Sequence, residues 1–463
     1  MKIGAWGRRA ARWVGLVLLM ATASCGGGGS SKHTFDLPAG TALDTVAGDR
    51  VLLVVESRNQ CRDSGDCAAT PIPGATPAPG AGCDVGNGNT RGLSIYRLGV
   101  NGNFVASAAD PSSAEGPVER IPTADNPRRI LVSATDPTIV YVATNERLQV
   151  IRLAPGGGSR CIAQSVSEQE GDPRADHDLD PVDFALDPTI GNGILYVAGR
   201  GSNRVDAYAI ADDGTIGATP TSCIIGPGDA EYTALSLLTR DFVAASGRSR
   251  IEIFRRVEGL FPLPTPAPSS TPTPAPTPGC FGGQLVTQAV SSIGAAIVTD
   301  TFFLPSTSAP IGELFVSEEV SQRLFTFNID PGGIINGNET SSTKRDGFYQ
   351  DIRLRGLGAN SLLYASVFQE GRLSVFRLEN GLLPNEAFSK TEKDPKTLPV
   401  GLAFDDPTAT LYVAEGGIGR IDGFRIQADG GLASNPATST VSVTADGREI
   451  DAFPSDIAIV PAP

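Results

Sequence analysis

The sequence predicts an all-β chain: a seven-bladed propeller of four-stranded antiparallel blades. Three observations carry this. A short apolar phrase returns seven times, most plainly as Leu195-Tyr196-Val197-Ala198, Leu314-Phe315-Val316-Ser317 and Leu411-Tyr412-Val413-Ala414. An alternating apolar run follows each copy, and a turn ending in Gly follows most of the runs. With Leu53, Tyr141, Tyr196, Phe242, Phe315, Tyr364 and Tyr412 as markers, the gaps are 88, 55, 46, 73, 49 and 48 residues. The underlying period is about 48, the length of one four-stranded sheet in a repeat array.

Each strand of the unit has its own signature. The first ends in Asp136-Pro137, Asp187-Pro188 or Asp406-Pro407, which suit the first two positions of a type I turn. The second is the repeated phrase. The third alternates, as in Leu148 to Leu153, Val205 to Ile210, Leu324 to Ile329 and Ile421 to Ile426, so that one face enters the core. Asn101-Gly102, Asp213-Gly214, Glu258-Gly259, Asn380-Gly381 and Asp429-Gly430 then mark tight hairpins. The two long gaps hold Pro-rich insertions at 60–92 and 262–279, which favour extended conformations and are expected as surface loops. Phe453 to Ile459 reads as a first strand, while the N-terminal unit starts at its second. The C-terminal strand is therefore expected to complete the first blade and close the ring.

The N-terminal residues read as an export signal. Lys2, Arg8, Arg9 and Arg12 precede the apolar stretch Val14 to Ala21, which is too short to span a bilayer. Thr22-Ala23-Ser24-Cys25 followed by Gly26 to Ser31 resembles a bacterial lipoprotein signal with Cys25 as the lipidated residue. The expected organisation is a signal peptide at 1–24, a flexible tether at 25–35 and one propeller domain at 36–463, lipid-anchored to the cell envelope. In a Gram-negative cell the anchor would lie in the outer membrane. Removing the leader's four basic residues takes the net charge of −14 to −18, which argues against nucleic acid and against anionic lipid headgroups. Membrane contact is expected through the anchor only, and the chain is expected to be a monomer.

Six cysteines remain after Cys25: Cys61, Cys67, Cys83, Cys161, Cys223 and Cys280. An even number in an exported chain is most simply three disulfides, with the pairing open. Their irregular spacing argues against zinc.

The residues with chemistry to offer gather where the second strand turns into the third. Arg147, Arg204, Arg250, Arg323, Arg372 and Arg420 each precede the third strand. Glu56, Glu318 and Glu415 end the second strand, and Glu146 and Glu370 lie close by. A ring of cross-strand ion pairs is one reading; a polar rim that recognises a carboxylate or sugar is the other. His177 is the one histidine beyond the tether. It sits in an acidic connector with Asp172, Asp176, Asp178, Asp180 and Asp183. Alternate carboxylates there admit calcium, yet the Gly that a calcium loop needs is missing, so no metal or cofactor is expected.

The stretch Leu195-Tyr196-Val197-Ala198-Gly199-Arg200-Gly201-Ser202-Asn203-Arg204-Val205 resembles two related groups: the propellers named for a Tyr-Val-Thr-Asn repeat, and the lactonase family that includes bacterial 6-phosphogluconolactonase. Asn126-Pro127-Arg128-Arg129, with Tyr141-Val142-Ala143-Thr144-Asn145-Glu146 after it, is similar to the lactonase pattern of a Pro-Arg-His phrase before a Tyr-Val-x-Asn-Glu phrase. Arg129 stands where that pattern has His. The resemblance implies a site at one mouth of the central channel. For lactone hydrolysis, Glu146 as base and Arg128 as electrophile are the pair the sequence offers.

The function expected from these readings is a binding module at the cell envelope, with a surface protein, a glycan or a small acid as partner. The alternative is a lactonase-type hydrolase acting on a sugar or aliphatic lactone. Export weighs against a housekeeping role on phosphorylated sugar lactones, which are cytoplasmic.

Overall fold

A computed structural model describes residues 50–58, 92–105, 117, 119–123, 127–145, 147–154, 158–165, 180–226, 230–256, 285–306, 311–335, 339–356, 361–441 and 452–461. The expected leader, the tether, Cys25 and the two Pro-rich insertions lie outside the described residues, apart from Gly92 at the edge of the first insertion. So do Glu146 and His177. The described chain is strand throughout except for one 3₁₀ turn, Asp406–Thr408. No helix among the described residues is long and apolar enough to cross a membrane.

The architecture is a propeller of four-stranded antiparallel blades. Five sheets have four strands each. The first joins Ala452–Pro461, Arg50–Arg58, Gly92–Leu98 and Glu119–Pro122, in that order. Pro127–Val132, Ile139–Thr144, Leu148–Arg152 and Arg160–Gln164 form the next; Pro181–Asp187, Ile194–Gly199, Arg204–Ala209 and Ser222–Ile225 form a third. Tyr349–Arg355 opens a fourth, with Leu362–Val367, Arg372–Arg377 and Ser389–Lys390; Pro399–Asp405 opens the fifth, with Thr410–Glu415, Arg420–Arg425 and Thr438–Val441. The C-terminal strand pairs with Arg50–Arg58 in the register Leu52 to Ile459 and Val54 to Ile457, where the sequence places it.

The ladders give six sheets among the described residues, not the seven that the repeat predicts. The difference lies in one sheet of six strands: Ala234–Thr239, Phe242–Arg256, Leu285–Pro305, Gly312–Glu318, Leu324–Ile329 and Ser341–Ser342. Two of its strands are long enough to serve two neighbours. Phe242–Arg256 pairs with Ala234–Thr239 through its first part and with Leu285–Pro305 through its last. Leu285–Pro305 in turn meets Gly312–Glu318 through its second half.

The repeated phrase is conspicuous because its Tyr does two jobs. Tyr141, Tyr196, Tyr364 and Tyr412 are buried in hydrophobic clusters between neighbouring sheets. Three of them also donate a hydrogen bond to the Gly carbonyl of a turn in the next sheet: Tyr141 to Gly214 (3.1 Å), Tyr364 to Gly430 (2.7 Å) and Tyr412 to Gly102. Those glycines have φ of +80°, +85° and +73°. A Cβ on Gly430 would fall 2.0 Å from the Leu362 side chain. The phrase and the turn are thus two halves of one contact, with Gly admitting both the left-handed backbone and the close approach.

The turns depart from the sequence expectation in length. Among the described residues only Asn380-Gly381 is a two-residue hairpin, with both φ angles positive and Glu379 bridged to Leu382 in both directions, and Glu258-Gly259 lies outside them. At Asn101-Gly102, Asp213-Gly214 and Asp429-Gly430 the bridge closes five residues: Leu98 to Phe104, Ile210 to Ile216 and Ile426 to Leu432. The Asp-Pro turns behave as read: the Ile139 N–H donates to the Asp136 carbonyl (2.9 Å) and the Ala409 N–H to that of Asp406 (3.0 Å).

Candidate functional site

The site begins with a defect in the strand ladder. In six inner strands one residue is skipped in the pairing. Pro127 faces Thr144 and Arg129 faces Ala143, leaving Arg128 out. Val182, Thr299, Gln350 and Val400 are skipped in the same way, and Ser455 is skipped on the C-terminal strand. A bulge re-aims its side chains and spoils period two. At this bulge Arg128 and Arg129, consecutive in sequence, reach different surroundings.

Arg129 enters a buried ring. Its Nε donates to Asp183 Oδ1 (2.8 Å), and its Nη2 lies 2.7 Å from the same oxygen and 3.5 Å from Asp300 Oδ1. Burial works against the charge of the guanidinium, but Asp183, then Asp456, Asp300 and Asp351, hold its pKa above the ordinary value. Each of these four carboxylates also ties its own inner strand to the next. Asp456 accepts from the Ile130 N–H (2.9 Å), Asp183 from Leu235 (2.6 Å), Asp300 from Ile352 (2.9 Å) and Asp351 from Leu402 (2.8 Å). Other side-chain links also run between inner strands. Ser236 and Thr301 share a hydroxyl bond (2.8 Å), and Arg353 donates to the Leu402 carbonyl (3.3 Å). Gly401 is needed because a Cβ there would come within 3.0 Å of Asp456 Cα. The centre of the molecule is therefore filled by ion pairs. Asp183, expected in the acidic connector, belongs to this ring.

Arg128 is partly exposed. Its guanidinium pairs with Asp180, which also takes Arg200 (2.9 Å). Asp180 precedes the inner strand Pro181–Asp187 with φ of +44°, and its carbonyl accepts from the Arg200 N–H (3.1 Å). Glu231 and Arg248 repeat the device at the next inner strand, with φ of +40° at Glu231 and an ion pair of 3.2 Å, but exposed to solvent. A non-Gly residue in the left-handed region is a small store of strain, and such residues gather at binding sites. The sequence reading noticed Asp180 only as part of the acidic connector. The signal that marks it is Asp before Pro181 together with Arg200 just past the repeated phrase.

Three of the six arginines expected as a rim pair with an acid on their own strand. Arg204 pairs with Asp206 (2.7 Å), Arg250 with Glu252 (3.1 Å) and Arg420 with Asp422 (2.6 Å). Each acid lies two residues on, and residues i and i+2 of a strand share a face. Arg420 also reaches across, to Glu415 (3.2 Å). Arg372 pairs with Asp346, and Glu370 with Lys393. Arg147 is fixed by backbone bonds with Thr144, and the Arg323 carbonyl accepts from the Glu318 N–H (3.4 Å). Glu318 accepts from the N–H groups of Val320 (2.8 Å) and Ser321 (2.5 Å), closing its own turn; burial raises its pKa. Burial, then the neighbouring Asp422, pushes Glu415 up to about 8, and burial pushes Asp206 up to about 6. Cys161 and Cys223 are both buried; the other cysteines lie outside the described residues. No group of three or more His, Cys, Asp or Glu among the described residues is arranged to hold a metal ion.

No protein-family model matches the chain, and no curated protein does. Solved structures do. The periplasmic gluconolactonase of Pseudomonas aeruginosa superposes with a TM-score of 0.58 at 15% identity, over 90% of this chain and 100% of that one. A Bacteroides fragilis protein provisionally named 6-phosphogluconolactonase gives 0.56 at 14%, over 90% and 99%. A protein from Lactobacillus plantarum gives 0.56 at 15%, over 89% and 99%. At these identities the likeness establishes the fold: a propeller like those of the lactonases.

Proposed function

We propose that the chain is an exported, lipid-anchored, seven-bladed propeller that binds a small acid at the mouth of its central channel. The observation that carries this is the convergence of Arg128 and Arg200 on Asp180 at the head of an inner strand. Paired guanidiniums in a partly buried cluster suit the forked recognition of a carboxylate, in a protein whose net charge is otherwise −14. The count of seven treats the six-stranded sheet as two blades sharing long strands. Seven hydrophobic clusters among the described residues support it, as does the circuit of contacts between inner strands, Pro399–Asp405 meeting Ala452–Pro461 and that strand meeting Pro127–Val132. Three disulfides and the lipid on Cys25 belong to the same reading.

The second reading is hydrolysis of a lactone, whose product is itself a small acid. It is favoured by the likeness to the Pseudomonas aeruginosa gluconolactonase along the whole of that chain. One experiment tests both. The full-length chain in detergent is titrated by calorimetry with gluconate and related aldonic acids, and proton release is followed with a panel of sugar and aliphatic lactones. Arg128→Ala and Glu146→Gln serve as controls. Binding that is lost in Arg128→Ala, without turnover, supports the binding module. Turnover that is lost in both variants makes the chain a lactonase. Neither binding nor turnover by folded protein removes the mouth from consideration.

A further inference from the structure

The ring at the centre has more carboxylates than cations to match them. Asp183, Asp300, Asp351 and Asp456 face Arg129 and Arg353, and all six side chains are buried. Asp183 and Asp300 lie against Arg129, and Asp351 lies 3.3 Å from Arg353 Nη1. Asp456 is different. Its two oxygens accept from backbone N–H groups only, Oδ2 from Ile130 and Oδ1 from its own neighbour Ile457, both at 2.9 Å. Among the described residues no cationic nitrogen lies within ion-pair distance of it.

Among the described side chains, the strands packed on Asp456 offer no further cation. Glu56, on the strand paired with it, accepts from Ser94 (2.8 Å) and Tyr96 (3.2 Å), and Arg50 is held by Asp405. Pro399–Asp405 approaches with Gly401. Arg128 turns away to Asp180, and Arg420 is held by Glu415 and Asp422. A fourth ionised carboxylate in a water-poor centre must be neutralised by a metal ion or by a proton. The described acids are not arranged to hold a metal.

We propose that Asp456 keeps its proton at neutral pH and acts as a latch: its ionisation in alkaline solution leaves an uncompensated charge buried between the inner strands. Burial, against the opposing pull of Arg129 and Arg353, moves the group in the same direction, to about 8, and burial together with Asp300 and Asp456 raises Asp351 as well. The sign follows. A carboxyl whose pKa is raised on folding contributes its stability below the unfolded value of about 4 and loses it as pH climbs through the folded value.

The test is the melting temperature of the full-length chain in detergent from about pH 5 to about pH 9. The wild type should melt at least about 5 °C lower at the alkaline end. Asp456→Asn, which can still accept from the Ile130 N–H, should lose more than half of that fall. Glu415 titrates in the same range, so Glu415→Gln is the control and should keep most of it. A fall unchanged in Asp456→Asn overturns the proposal, as does a fall abolished by added calcium or restored by a chelator. Infrared spectra of Glu415→Gln supply a readout that does not need the Asp456 variant to fold. The C=O band of a buried carboxylic acid should be present at about pH 7 and gone at about pH 10. Its absence at about pH 7 also overturns the latch.

Discussion

Arg129 is 1% exposed and lies among four carboxylates in the centre of the molecule, whereas Arg128, one residue earlier, is 13% exposed and pairs with Asp180 beside Arg200. The two share a backbone, a charge and a side-chain type. What separates them is the bulge that leaves Arg128 out of the ladder. The difference teaches that charge at this place is divided between two tasks. The buried residue is committed to holding strands together, because it lies against both Asp183 and Asp300. The partly exposed residue keeps an orientation from which a ligand can compete for it.

The largest effect should come from the buried side. Arg129→Leu leaves two carboxylates without their cation and is expected to cost roughly 3–5 kcal/mol, read as a large drop in melting temperature or failure to fold. An equally large loss in Arg128→Leu would erase the distinction between the two. Next is the mouth. Arg128→Ala or Arg200→Ala should weaken binding of an aldonic acid by about tenfold or more, equal to about 1.4 kcal/mol, while stability changes by about 1 kcal/mol or less. Affinity that is untouched in both variants would move the ligand elsewhere. The smallest effect tests the repeat itself. Tyr364→Phe strips the Gly430 carbonyl of its donor and should cost about 1 kcal/mol by denaturant titration, with no change in ligand binding.

Much of the fold was legible because its signals are periodic. Tyr141, Tyr196, Phe315, Tyr364 and Tyr412 mark second strands, and Phe453 to Ile459 marks the strand that returns to Arg50–Arg58. The sheet count was harder. Phe242–Arg256 and Leu285–Pro305 are each a continuous strand where the period implies a boundary, and continuity of hydrogen bonding leaves no trace in composition. The site was legible only in part. Arg128 was found through its phrase. The ring that joins Arg129 to Asp183 was not read, because period two cannot see a skipped residue and the inner ring has no alternating signature. Asp180 was hidden among other acids, and its partner Arg200 is fixed by tertiary contact alone.

The pairing of Ala452–Pro461 with Arg50–Arg58 also sets a timetable. Arg50–Arg58 waits for a strand some 400 residues further along before this edge is covered. Until then Leu52, Val54 and their neighbours present unpaired N–H and C=O groups, the kind of edge that recruits strands from other chains. A nascent or clipped chain lacking its final strand is thus a hazard to its neighbours, and the finished chain is not.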